Sequence, residues 1–212
     1  MKDIPMFTTE YGIASLILAE IPYQQTAYIR IQSCLPGEID NLLSECRAFC
    51  RACGAEKIFA TGDDRLEKYP LYNIIYEMRG RFSEGEQANL WPVTEETLDT
   101  WRQIANKRMK GVDNSATITA SYAKKLLDEG GAYFVHENDE LLGVGLVQDN
   151  IMHLIAATKP GAGERVLRTL LSLCPQEQIC LEVASTNHRA IRLYERLGFL
   201  KTGEKSRWYQ VL

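Results

Sequence analysis

The stretch that most limits what this chain can fold into is Leu181 to Phe199, LEVASTNHRAIRLYERLGF. Leu181 to Ala184 read as a short buried strand. Ser185 and Thr186 are residue types that cap a helix. Ala190, Leu193 and Leu197 then recur at helical spacing and give one apolar stripe. Gly198 follows at the point where a helix end calls for positive φ, and Phe199 re-enters a core. Asn187 lies in the first turn and Tyr194 seven residues on, so both point to roughly one side. Read as residues alone, this is a helix–strand corner of an α/β fold with a tyrosine in it.

The spacing Asn-x-x-Ala-x-x-Leu-Tyr-x-x-Leu-Gly-Phe, Asn187 to Phe199, resembles the late motif of the GNAT superfamily of acyl-CoA N-acyltransferases. The resemblance covers about residues 88–212. It implies an α/β (α+β) fold, a mixed and mainly antiparallel sheet flanked by helices; residues 1–85, outside the resemblance, read from their own order of elements as an N-terminal α/β extension. It also implies coenzyme A, as acetyl-CoA, lying where the strand before the motif splays from its neighbour. Asn187 would help hold it. Tyr194 would be the acid that protonates the departing thiolate.

A second stretch fits that reading. Gly161, Ala162, Gly163 and Glu164 form a glycine-rich turn between an expected strand and an expected helix. Bare N–H groups and the helix dipole at such a turn receive phosphates, which side chains would obstruct. The family pattern is Gln/Arg-x-x-Gly-x-Gly/Ala. Here Thr158 stands first, and Pro160 inside the loop has no N–H to offer. The strand before it, around Ile155, Ala156 and Ala157, is expected to present backbone groups to the pantetheine arm.

The implied reaction is direct attack of a primary amine on the thioester. An alkyl amine of pKa ~10.4 is only about 0.04% neutral at pH 7, a penalty of ~4.6 kcal/mol, so such an acceptor gains from a general base. His153 and Glu182 lie on the two strands that would flank the gap, and His136 and Glu137 are more remote. A lone His or Glu on a strand is commonly structural, and the base is left unassigned. The acceptor is expected to be a small-molecule or peptide amine. A reading from another class is a non-catalytic domain that binds acyl-CoA, or only a partner, on a degenerate GNAT fold.

The rest of the chain bounds these readings. A net charge of −4 argues against nucleic acid as the main partner. No apolar run reaches the ~20 residues that span a bilayer, and the start lacks a signal-peptide core. Cys46, Cys50 and Cys53 share one helical stripe with Leu42 and Phe49; three thiols on one straight stripe close poorly around an ion, so they read as core rather than metal ligands. Without a disulfide spacing, reduced thiols in the cytoplasm are expected, in a monomer or homodimer. Arg79 to Gln87 is the best linker candidate. Before it, strand, Leu35-Pro36-Gly37, helix and strand echo the later strand, Lys159-Pro160-Gly161, helix and strand, either as a degenerate internal repeat or by coincidence. Lys201 to Leu212 is expected as two strand pieces around Glu204-Lys205-Ser206.

Overall fold

The computed structural model describes residues 4–81, 85–113, 115–174 and 178–212. The chain divides into two units, Met1–Ile75 with Glu204–Leu212, and Tyr76–Gly203. Both ends of the division fall inside strands. Of the expected linker, residues 82–84 lie outside the described residues.

The first unit runs β1 (Met6–Thr8), β2 (Gly12–Ile17), α1 (Ile21–Gln24), β3 (Thr26–Cys34), α2 (Ile39–Ala52), β4 (Lys57–Thr61), a 3₁₀ turn (Asp64–Lys68) and the start of β5 (Leu71–Arg81). β1, β2 and β3 pair antiparallel, and β3 pairs parallel with β4. Between β2 and β3, Ile21–Gln24 make one helical turn, with Pro22 at its start and left-handed Gln25 (φ 53°) ending it. In α2, Ile39, Leu42, Leu43, Cys46 and Cys50 are buried, a stripe at helical spacing that faces the sheet. Phe49 and Cys53, expected inward, are exposed; they fall beside the stripe, and Phe49 instead meets the Phe7 ring at 5.1 Å. Burial pushes the Cys46 thiol up to about 12 and the Cys50 thiol up to about 11. They stay protonated and act as small apolar groups.

The second unit holds the rest of β5, then β6 (Asn89–Pro92), α3 (Leu98–Met109), α4 (Ala120–Glu129), β7 (Ala132–Glu137), β8 (Glu140–Gln148), β9 (Ile151–Ala157), α5 (Gly163–Leu171), β10 (Gln178–Ala184), α6 (His188–Arg196) and the start of β11 (Leu200–Gln210). Its strands lie in the order β11-β5-β10-β9-β8-β7-β6. β6 to β9 form an antiparallel meander. Its two tight turns use Asn138-Asp139 and Asp149-Asn150, all four at positive φ, which Asn and Asp tolerate and which hairpins of this twist require. A Cβ on Gly143 would lie 2.8 Å from Val166 Cγ2, and one on Gly145 would lie 2.3 Å from Leu170 Cδ1. The Gly-x-Gly of β8 is thus the bed on which α5 lies, and it sets where α5 begins.

β11 is one continuous strand rather than two pieces. Glu204-Lys205-Ser206 is polar, but strand formation follows pairing and not local polarity. Tyr209 and Gln210 pair antiparallel with Ala60 and Phe59 of β4, so the end of the chain completes the first unit.

Candidate active site

β9 and β10 run parallel, but only Ile151–Cys180 and Met152–Leu181 are in register. Beyond them the strands part. β9 remains paired on its other side with β8, as far as Gly143–Ala157. The edge of β9 from His153 to Ala157 that faces β10 is therefore open backbone. Ile155 and Ala157 are half-buried, while the Ala156 side chain is buried in the core beneath α3 and α4. Ala156 also pairs with Val144 of β8, so its backbone is spent there and the open groups of this edge come from its neighbours Ile155 and Ala157.

The loop after β9 is tied down at its start. Thr158 N–H donates to Leu142 O at 2.8 Å, and its hydroxyl donates to Leu141 O at 2.6 Å. The side chain that replaces the family's Gln or Arg is used to fasten the loop to β8. Ala162 N–H donates to Lys159 O at 3.3 Å, closing a turn over Pro160 and Gly161, and Gly161 takes φ 83°. Ala162 is the N-cap of α5 and no side chain caps it. The amides of Gly163, Glu164 and Arg165 consequently have no acceptor within the helix. A Cβ on Gly163 would come 3.3 Å from Leu193 Cδ2, so the start of α5 lies close against α6. Nearby charges are paired with each other: Lys159 with Glu140, Arg165 with Glu137 at 3.3 Å, and Arg168 with Glu164 at 3.0 Å.

Asn187, and neither Ser185 nor Thr186, caps α6. Its Oδ1 accepts from Ala190 N–H at 3.2 Å. Thr186 donates instead to Asp113 Oδ2 at 2.6 Å, on the connection between α3 and α4. The cap leaves the Asn187 amide N–H groups as the part that can reach a ligand. Tyr194 is half-buried on α6, its ring 6.0 Å from that of Phe199. Phe199 in turn lies over the backbone of Gly80 in β5, where a Cβ would come 2.5 Å from the ring. Burial pushes the Tyr194 hydroxyl up to about 12, so it is fully protonated at neutral pH. Gly80 is a supporting position that the sequence reading missed. The linker candidate Arg79 to Gln87 includes it, whereas it lies in β5.

His153 and Glu182 are exposed, and each directly follows the last paired residue of its strand. The two candidate bases therefore sit at the mouth of the parting. His136 and Glu137 are not brought there. His136 stacks on Trp91 at 4.4 Å, and Glu137 pairs with Arg165.

A profile described as the acetyltransferase (GNAT) family matches residues 98–199, which include the open β9 edge, the uncapped α5 start and α6. Residues 98–199 form a GNAT-family domain. Members of this family carry out acyl transfer, generally from acetyl-CoA. The whole chain is similar in fold to a GCN5-related N-acetyltransferase from Kribbella flavida, at 12% identity and TM-score 0.60, covering 99% of this chain and 89% of that one. It is likewise similar to a GNAT-family acetyltransferase from Colwellia psychrerythraea, at 13% identity and TM-score 0.54, covering 97% and 84%. A tandem GNAT protein from the clavulanic acid biosynthesis pathway aligns at 15% identity and TM-score 0.51, covering 94% and 78%. At these identities the likeness is one of fold. No protein of curated function matches by sequence.

Proposed function

We propose that the GNAT-like region, residues 88–212, transfers an acetyl group from acetyl-CoA to a primary amine by direct attack, with Tyr194 as the general acid. The observation that carries this reading is the parting of β9 and β10 next to an uncapped helix start, with a protonated tyrosine on the adjoining helix. The amides of Gly163, Glu164 and Arg165 suit a pyrophosphate, although Pro160 supplies no donor. The open backbone of Ile155 and Ala157 and the amide of Asn187 suit the pantetheine arm. The cosubstrate supplies an activated thioester. The acceptor amine enters at the mouth of the parting, where His153 and Glu182 are the candidates to take its proton. The Tyr194 hydroxyl gives its proton to the leaving sulfur. The acceptor is a small-molecule or peptide amine.

We infer further that residues 1–85 are a degenerate GNAT-like half. β3, α2 and β4 of the first unit repeat the order of β9, α5 and β10. The start of α2, the counterpart of the α5 start, also has no side-chain cap, but its first turn carries the exposed carboxylate of Asp40. Arg65 donates to Leu35 O at 3.0 Å, and Asp40 accepts from Lys68 and from Tyr69. A phosphate placed there would meet the Asp40 carboxylate.

The reading is tested with acetyl-CoA and a panel of amines, scored by free-thiol release, alongside calorimetry of CoA binding. Gly163→Glu puts a side chain and a negative charge against the amides of the α5 start. The expected outcome is turnover with at least one amine, and CoA affinity at least about tenfold weaker in the variant. Equal CoA affinity in the two proteins counts against the pyrophosphate site. CoA binding without turnover of any amine supports the non-catalytic reading.

A further inference from the structure

A second cleft lies wholly within the first unit, at the carboxyl end of β4 and beside the middle of β3, with a volume of about 360 Å³. The β3–β4 register ends at the pair Arg30–Thr61, and both residues line the cleft. Carboxyl ends of parallel strands are where open α/β sheets place ligands, and the volume is in the range of small-ligand sites, roughly 300–1,000 Å³. Gly62 takes φ 98°, and a Cβ on it would come 2.5 Å from Ile31 O. Close backbone packing therefore keeps this wall bare of side chains.

The lining of the cleft carries both signs of charge. β3 contributes Arg30, and β11 contributes Lys205 and Arg207. The 3₁₀ turn contributes Asp64 and Glu67, which share one face because residues three apart eclipse in that helix. Arg65 and Lys68 face the other way, toward Leu35 and Asp40. Some of these charges are already matched. Asp63 is held by Arg65 at 2.6 Å, and Arg207 by Glu204 at 2.9 Å and Glu67 at 3.8 Å. Among the described residues Arg30 and Asp64 form no ion pair, and they are opposite in sign on separate elements. A simple anion entering here meets the Asp64 carboxylate, and a simple cation meets the Arg30 guanidinium. A ligand with both charges matches both groups.

We propose that this cleft binds a small zwitterion, an α-amino acid or a molecule with the same carboxylate and ammonium pair. Arg30 presents a two-pronged donor to the carboxylate, and Asp64 accepts from the ammonium. The site is separate from the parting of β9 and β10 and does not depend on acyl transfer.

The test is calorimetry of the full chain with the twenty L-amino acids, and with acetate and methylamine as single-charge controls. At least one amino acid is expected to bind with Kd of about 1 mM or tighter, and neither control to match it. Arg30→Gln and Asp64→Asn each change an exposed residue and should keep the wild-type melting temperature. Each should weaken that binding at least about tenfold, the scale of one lost charge-assisted contact. Arg30→Lys keeps the charge without the fork and should fall between. The proposal is overturned if no amino acid binds below about 10 mM, if acetate or methylamine binds as tightly, or if the folded variants keep wild-type affinity. Loss of amino-acid binding with CoA binding intact separates this site from the transferase site.

Discussion

Tyr194 is where the chemistry proposed for this domain is most exposed to test. A thiol has an ordinary pKa of ~8.5, whereas burial pushes this phenol up to about 12. Proton transfer between groups that far apart costs roughly 5 kcal/mol. The same dry surroundings raise the thiol as well, which narrows the gap. Tyr194→Phe removes only the hydroxyl, so folding and CoA affinity should hold while kcat falls by ~10²–10⁴. The pH profile adds an independent readout. An ordinary tyrosine would begin to lose its proton near pH 10, whereas Tyr194 keeps its proton well above that. The wild-type rate should therefore climb with pH as an alkyl amine deprotonates, with no falling limb below pH 10. Wild-type turnover by the Phe variant would make Tyr194 a packing residue. Much at this scale was legible, because Asn187, Tyr194, Gly198 and Phe199 sit in one local run whose spacing alone fixes a helix and its end. The cap assignment was not: Ser185, Thr186 and Asn187 are equally good cappers by type, and the choice turned on Thr186 finding Asp113 across the fold. Gly80 was invisible for a similar reason, since its role depends on a ring far along the chain.

Among the elements, strands and helices with clear apolar periods were readable, and β9, Ile151–Ala157, includes the strand expected around Ile155 to Ala157. The parting of β9 from β10 was not readable from either strand, because register is a property of a pair; it came only with the family resemblance. β11 was misread because a polar triplet resembles a turn until its pairing partners are known. The Gly-x-Gly of β8 gives the sharpest element-scale prediction. Gly145→Val drives a branched side chain into Leu170, which has no slack at 2.3 Å. Overpacking of this kind costs typically ~1–3 kcal/mol, and relief requires α5 to lift from the sheet. Thermal stability should fall, and CoA affinity with it, because the α5 start moves. Gly203→Ala is the control: a Cβ there meets nothing within 4 Å, so stability should stay within about 0.5 kcal/mol. If Gly145→Val leaves both stability and CoA affinity unchanged, the glycines do not seat α5.

For the molecule as a whole, the division into units cuts through strands and so leaves no mark in composition. A reader looking for a polar linker is drawn to Arg79–Gln87, and nothing in the sequence says that the last nine residues belong with the first seventy-five. The consequence is specific. Tyr209 and Val211 are each 6% exposed within the first unit's core. Val211 N–H donates to Ile58 O at 2.9 Å, and Ile58 N–H donates to Leu212 O at 3.1 Å. Removing Glu204–Leu212 exposes core surface, at ~1.5–3 kcal/mol for Val211 and a similar sum for Tyr209. It also strips both backbone partners from buried Ile58, at ~1–3 kcal/mol for each group left unmade. Against a total stability of ~5–15 kcal/mol for a domain, that loss is enough to unfold the first unit. A chain ending at Gly203 should therefore lose hydrogen-exchange protection at Ile58 to Thr61 and become open to protease between Gly12 and Ala52. The milder Tyr209→Ala should lower the melting temperature and leave protection measurable. Full protection of Ile58 to Thr61 in the truncated chain would show that the C-terminal strand is an accessory to the first unit and not part of its core.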